Sequence, residues 1–166
     1  MRFAIRLSTP DDAEAVTALL AASYSPLMAG HYEPDALAAL LPAITVANPR
    51  LLGSGRYFIA EAADGTTVGC GGWSTERPGE GEPTEGLGHV RHFATHPDWI
   101  GRGIGRALFE RCLAQARAAG VTAFECYANL NAEGFYRALG FEPVRRIAVE
   151  VGPERSLPAM LMRRAD

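Results

Sequence analysis

His96-Pro97-Asp98-Trp99-Ile100-Gly101-Arg102-Gly103-Ile104-Gly105-Arg106 runs without a break into Ala107-Leu108-Phe109-Glu110-Arg111-Cys112-Leu113. Gly101, Gly103 and Gly105 occupy alternate positions, and a helical apolar pattern of Ile104, Leu108, Cys112 and Leu113 starts among them. Glycine lets the backbone take positive φ and approach a ligand closely. The opening turn of a helix leaves N–H groups unpaired and carries partial positive charge. The segment therefore reads either as a phosphate or pyrophosphate cradle, with Arg102 and Arg106 adding charge, or as a structural turn that only starts a helix.

Working outward, Phe3-Ala4-Ile5-Arg6-Leu7 alternates and predicts a first strand. Thr9-Pro10-Asp11-Asp12 is a helix start, with Thr9 as N-cap and Pro10 in the first helical position. Val16, Leu19 and Leu20 form its buried stripe, and the helix is expected to fade near Tyr24. A second helix opens at Pro34-Asp35, and Pro42 is expected to kink or end it. Residues 50–56 read as loop. Residues 57–61 and 67–73 form a hairpin across Asp64-Gly65, and 75–86 is a surface loop. Residues 87–95 form the strand that leads into the glycines. The helix from Ile104 stops at Gly120, residues 123–127 form a short strand, and Asn131 caps a helix over 132–139. Strands over 144–151 and 159–162 close the chain. This order predicts one domain over residues 1–166, with a mixed sheet in an α/β layer architecture.

Composition narrows the chemistry. The 166 residues, 48% hydrophobic and 21% charged, suit a soluble globule with a real core. A net charge of -3 exerts no general pull on nucleic acid or anionic membranes, so neither is an expected partner. No apolar run approaches the roughly 18–20 residues that span a bilayer, and a cytoplasmic setting is the expectation. Cys70, Cys112 and Cys126 are odd in number and badly spaced for disulfides or zinc, so no metal is expected. All sixteen basic residues are arginine. That removes Schiff-base chemistry and the Walker A lysine. The dinucleotide fingerprint fails too, because Arg106 or Leu108 stands where its sixth position needs glycine or alanine.

Four further segments bear on what the cradle holds. His92-Phe93-Ala94-Thr95-His96-Pro97 followed by Gly101 to Leu108 resembles the acetyl-CoA-binding motif of GCN5-related N-acetyltransferases. Asn131-Ala132-Glu133-Gly134-Phe135-Tyr136-Arg137-Ala138-Leu139-Gly140-Phe141 resembles that family's second motif, and Ile5 to Ala13 its first strand and helix. Gly69-Cys70-Gly71-Gly72-Trp73 fits its third strand, so the resemblance covers essentially the whole chain. One position departs from the pattern: Ile100 stands where the family carries arginine or glutamine.

The resemblance implies a mostly antiparallel sheet flanked by helices, with two splayed parallel central strands. It also implies acetyl transfer from acetyl-CoA to a primary amine, the acceptor being a small molecule. A protein or peptide acceptor and a CoA-binding sensor without turnover are the alternatives. The N–H groups of Gly101, Arg102, Gly103, Ile104, Gly105 and Arg106 would hold the pyrophosphate. Phe93 and Thr95 would bond pantetheine like an added strand, an N–H near Ala94 would polarise the thioester, and Asn131 would border the slot. Tyr136 matches the family's general acid, and a phenol of pKa near ~10 is protonated at neutral pH. Where relatives carry a strand glutamate this chain has His89, which becomes the candidate base, with Glu85 behind it and His92 and His96 further back. Cys112 and Cys126 read as small apolar side chains. Tyr24, His31, Tyr32, Trp73 and the loop glutamates Glu76, Glu80, Glu82 and Glu85 are candidates for the acceptor wall. A monomer or homodimer is expected.

Overall fold

The protein is described by a computed structural model covering residues 2–79 and 81–165. Seven strands make one sheet: β1 (Phe3–Leu7), β2 (Tyr57–Ala62), β3 (Thr67–Ser74), β4 (Leu87–Thr95), β5 (Ala123–Asn129), β6 (Glu142–Glu150) and β7 (Ser156–Ala165). Their order is β1-β2-β3-β4-β5-β7-β6. Every neighbouring pair is antiparallel except β4 and β5, which run parallel. The helices are α1 (Ala13–Met28), α2 (Pro34–Ile44), α3 (Pro49–Leu52), α4 (Ile104–Ala118) and α5 (Glu133–Ala138). No helix among the described residues is long and apolar enough to cross a membrane.

Strand alternation builds two layers. Phe58, Ala60 and Val68 pack on Ile104, Leu108 and Cys112 of α4. Tyr57 and Ile59, the alternates of Phe58 and Ala60, pack with Cys70 on Val16, Leu19 and Leu20 of α1, and a bulge at Val68 is what puts Val68 and Cys70 on opposite faces. The glycine run of β3 is what lets these layers close. A Cβ on Gly69 would lie 2.4 Å from Ile104 Cγ2, and one on Gly71 would lie 2.6 Å from the Phe93 ring. Helix α4 thus sits directly on bare backbone.

Three local expectations need correction. α1 does not fade at Tyr24; it runs through Pro26 to Met28, because Met28 is wholly buried against Leu37, Leu40 and Leu157. Packing of that last turn outweighs the bond lost at proline. α2 likewise passes Pro42, and Thr45 closes it by donating N–H and hydroxyl to Leu41 O at 3.1 and 2.8 Å. Residues 49–52 are helical, not loop: Asn48 Oδ1 accepts from the N–H groups of Arg50 and Leu51, and Pro49 takes the first position. Asn-Pro was the missed start signal.

A buried carboxylate ties the parallel pair to its surroundings. Glu125 of β5 accepts hydrogen bonds from Arg77 Nε at 3.2 Å and from Arg163 of β7. His89 of β4 is fully buried, and its Nε2 stands 2.9 Å from Glu125 Oε1 without hydrogen-bond alignment. Burial alone would raise the Glu125 pKa, but the Arg163 and Arg77 bonds prevail and hold it below its ordinary value. Burial lowers His89 to about 4, against the pull of Glu125.

Gly69→Ala must push α4 from the sheet and is expected to cost about 1–3 kcal/mol in urea unfolding. Stability should fall as pH drops from the ordinary histidine value of 6.5 toward 4, where unfolded but not folded His89 binds a proton. It should fall further as pH passes below the Glu125 reference of 4.5 and its arginine bonds are lost. Glu125→Gln should lose about 1–3 kcal/mol at neutral pH and flatten the lower part of that decline. An unfolding free energy unchanged between neutral pH and pH about 4 contradicts the assignment.

Candidate active site

The site begins where the parallel pair comes apart. β4 and β5 are in register at only three positions, Leu87↔Ala123, Gly88↔Phe124 and His89↔Glu125. On its other edge β4 meets β3 at Gly72↔Arg91 and again at Cys70↔Ala94, so three steps on β4 face two on β3. The extra residue is a bulge at His92, whose φ is 50°. Tyr57 Oη donates to the His92 carbonyl at 2.7 Å and fixes this left-handed residue. A bulge bends and over-twists its strand, so beyond His89 the β4 chain swings away from β5 and leaves a slot.

Backbone direction past the bulge decides which amides face that slot. His96 N–H donates to Val68 O of β3 at 2.8 Å. Alternation then turns the N–H and carbonyl of Ala94 toward β3, and those of Phe93 and Thr95 toward the slot. The expectation of a thioester-polarising amide near Ala94 therefore shifts to the amides of Phe93 and Thr95. The Phe93 carbonyl already accepts from Tyr24 Oη at 3.3 Å.

At the far end of the slot lies the glycine turn. Gly101 and Gly103 have φ of 82° and 79°, and Gly103 is the N-cap of α4. A glycine cap has no side chain to occupy the first N–H groups, and the first intrahelical bond runs from Ala107 N to Gly103 O. The N–H groups of Ile104, Gly105 and Arg106 are thus left for a ligand. Gly105 is bare for another reason: a Cβ there would meet the Phe135 ring at 2.6 Å. Both arginines keep their positive charge beside the turn while also holding protein groups. Arg106 donates to Ala138 O at 3.0 Å, closing the end of α5, and Arg102 lies over the Trp99 ring and bonds Asp98 O. Ile100 is half-exposed at the mouth.

A cavity of about 560 Å³ runs from this turn past Trp99 and Phe135 to Tyr24 and Tyr136. A second of about 280 Å³ opens on the other side, toward Arg91, Tyr127 and the ends of β6 and β7. Both are lined by Tyr24, Phe93, Asn129, Ala132 and Tyr136, so they meet at the slot. Tyr136 is held there by edge contacts to Phe135 and Phe141, and burial pushes its pKa well above 10. Its hydroxyl makes no hydrogen bond with any described residue.

Several expected residues sit elsewhere. His89 lines neither cavity; buried beside Glu125 and the Tyr127 ring, it cannot reach an acceptor directly and is corrected from base to core. His92 lines the second cavity but burial lowers it to about 4, and His96 Nδ1 caps the turn at Asp98. Asn131 does not cap α5, whose N-cap is Ala132; its Oδ1 is buried without a partner at the first cavity. Trp73 is core, donating to Gln115 Oε1. Tyr32 clips Leu130 N–H to Pro158 O. His31 lines the first cavity. Glu82 and Glu85 line neither cavity, and Glu80 lies outside the described residues. Burial raises all three thiols, Cys70 and Cys112 to about 12, so none is a nucleophile at neutral pH. Among the described residues no group of three or more His, Cys, Asp or Glu is placed to hold a metal ion. Tyr24 and Arg91 also line these cavities with little local signal in the sequence: Tyr24 stands at an expected helix end, and Arg91 sits among histidines.

The Acetyltransferase (GNAT) domain family matches residues 53–143. Aminoglycoside N(6')-acetyltransferase type 1 of Stenotrophomonas maltophilia is 32% identical over 97 residues, 56% of this chain and 63% of that protein. A chloroplastic serotonin N-acetyltransferase 2 of Oryza sativa is 47% identical over 52 residues, 31% of this chain and 26% of that protein. The chain thus spans less than two thirds of either curated relative. A GCN5-related N-acetyltransferase from Rhodopseudomonas palustris superposes at a TM-score of 0.79 with 25% identity, covering 100% of this chain and 97% of its own. PaiA N-acetyltransferase from Thermoplasma acidophilum, solved in complex with coenzyme A, superposes at 0.73 with 16% identity over 100% of both chains. With the splayed parallel pair and the glycine-capped α4 now placed, the sequence match across both motifs makes this chain a member of the GNAT acetyltransferase domain family.

Proposed function

We propose that the protein transfers the acetyl group of acetyl-CoA to a primary amine on a small molecule. The observation that carries this reading is the meeting of two cavities at Tyr136, one leading to the glycine turn and one away from it. The first fits the cofactor: unpaired helix N–H groups at one end suit pyrophosphate, and an apolar passage past Trp99 and Phe135 suits the pantetheine arm. Phe93 and Thr95 offer amides along that passage, where an extended arm pairs as an added strand.

The chemistry then needs little else. The amine arrives neutral through the second cavity and its lone pair attacks the thioester carbonyl carbon. The C–N bond forms, the C–S bond breaks, and the sulfur leaves with the bonding electrons. Tyr136, kept protonated because burial raises its pKa, gives its proton to that sulfur. The resulting phenolate recovers a proton from the nitrogen, so the residue is restored within one turnover. A slot-facing amide stabilises the negative charge that develops on the carbonyl oxygen. His89 enters only by packing on Tyr127, which walls the second cavity.

Thiol release from acetyl-CoA across a panel of small amines and peptides tests the proposal. Tyr136→Phe should lower kcat by about 10²–10⁴, with CoA affinity retained. Activity in the wild type should rise with pH toward the pKa of the amine, since only the free base attacks. Full activity in Tyr136→Phe would remove that residue from the reaction. CoA binding without amine-dependent thiol release would leave a CoA-binding module without turnover.

A further inference from the structure

The second cavity has an unusual charge pattern for a site that receives amines. Its apolar wall is made by Ile44, Val90, Val149, Val151 and Leu157. Into this surface projects Arg91, a partly buried residue of β4 two positions before Phe93. Several other arginines find carboxylates, Arg6 with Asp12, Arg163 with Glu125 and Arg137 with Glu133, and others cap carbonyls. Arg91 has no ion pair with any described residue. Its single hydrogen bond runs from Nη1 to Ser74 Oγ at 3.0 Å, and that oxygen itself donates to Glu76 O at 2.7 Å.

A guanidinium carries five N–H donors in a rigid fork. One is used. Desolvating such a group without an anion is costly, and burial outweighs the through-space pull of Glu76, lowering its pKa from 12.5. No other titratable group on the cavity wall forms an ion pair with it. His92 is neutral at physiological pH, and Glu150 is exposed at the rim of β6. A neutral amine with a purely apolar body would leave this cation unpaired beneath it. A polycation would be repelled.

Taking this cavity as the acceptor side, as the proposed function has it, we infer that the acceptor is a compact apolar amine bearing a carboxylate, an amino acid with an apolar side chain, and that Arg91 binds the carboxylate. The fork of Arg91 matches a carboxylate in two-bond geometry. A phosphate would bring close to two negative charges to a wall with one cation. The volume, about 280 Å³, falls just below the roughly 300–1,000 Å³ typical of drug-sized ligands, and so suits a single small molecule. Arg91 acts as a specificity residue, since it binds the acceptor's carboxylate and not the reacting nitrogen or thioester.

The test compares acceptors that share a body and differ in one group: leucine, methionine and phenylalanine, each beside its amide and its decarboxylated amine. In the wild type kcat/KM should favour the carboxylate member by about tenfold or more, the size of one charge-assisted hydrogen-bonded contact. Arg91→Met should bring that ratio close to one, mainly through KM, and Arg91→Lys should keep part of it. Thermal melts establish that both variants fold. Turnover of the amides or plain amines as good as that of the acids, or a preference that survives Arg91→Met, overturns the inference while leaving amine acetylation standing. Absence of thiol release with every amine sinks the proposed function instead. Calorimetry with the CoA-loaded protein then decides Arg91 separately: N-acetyl-leucine must bind more tightly than N-acetyl-leucinamide, and equal binding overturns the assignment.

Discussion

The hydrogen bond from Tyr57 Oη to the His92 carbonyl holds the one residue on which the site depends. His92 is not glycine, yet it sits at a φ of 50°, a conformation that costs roughly 1–2 kcal/mol for a side-chain-bearing residue. A bond from the buried Tyr57 returns about 1 kcal/mol of that, and the sheet pairings on either side hold the rest. With the bulge in place, β4 can pair with β5 at one end and part from it at the other. The sheet stays continuous, and a slot opens inside a packed core without leaving a ragged edge.

Bare backbone is the second constraint. Gly69, Gly71 and Gly105 each stand where a Cβ would collide with Ile104, Phe93 or Phe135. These contacts draw α4, the bulged strand and α5 together around the slot, so the glycine turn, the slot-facing amides and Tyr136 share one rigid frame. Gly101 and Gly103 serve differently, through positive φ, and expose the helix N–H groups. The same residue type thus sets both the distance between layers and the direction of the amides. Arg106 and Arg164 complete the frame from outside, each donating to a carbonyl at the end of α5.

Much of this was legible in the chain itself. The strands β1 to β4 and the helix after the glycines follow from local pattern, because local sterics and solvent exposure decide them, whereas Tyr136 was marked out only by the resemblance of its motif. What could not be read locally depends on partners distant in sequence. The first helix looks spent near Tyr24 until Met28 is seen buried under Leu157. Arg102 and Arg106 look free for an anion, yet packing also gives each a place in the protein, on Trp99 and on the Ala138 carbonyl. His89 is the sharpest case: it stands where relatives of the resembled family carry a glutamate base, but Glu125 and burial make it part of the core. Asn131 looked like a cap, and the turn geometry of 129–132 instead leaves its carbonyl oxygen at the cavity. Side-chain identity shows what a residue can do, whereas direction is set by packing that spans the sheet.

The central claim is that the slot opened by the His92 bulge receives the CoA arm as an added strand. Amide hydrogen exchange, followed residue by residue by NMR with and without CoA, tests it most directly. On this account CoA slows exchange at Phe93, Thr95 and the Ile104 to Arg106 amides, while Ala94, already turned to β3, hardly changes. Saturating CoA that leaves Phe93 and Thr95 exchanging as before, or that protects Ala94 in their place, would contradict it.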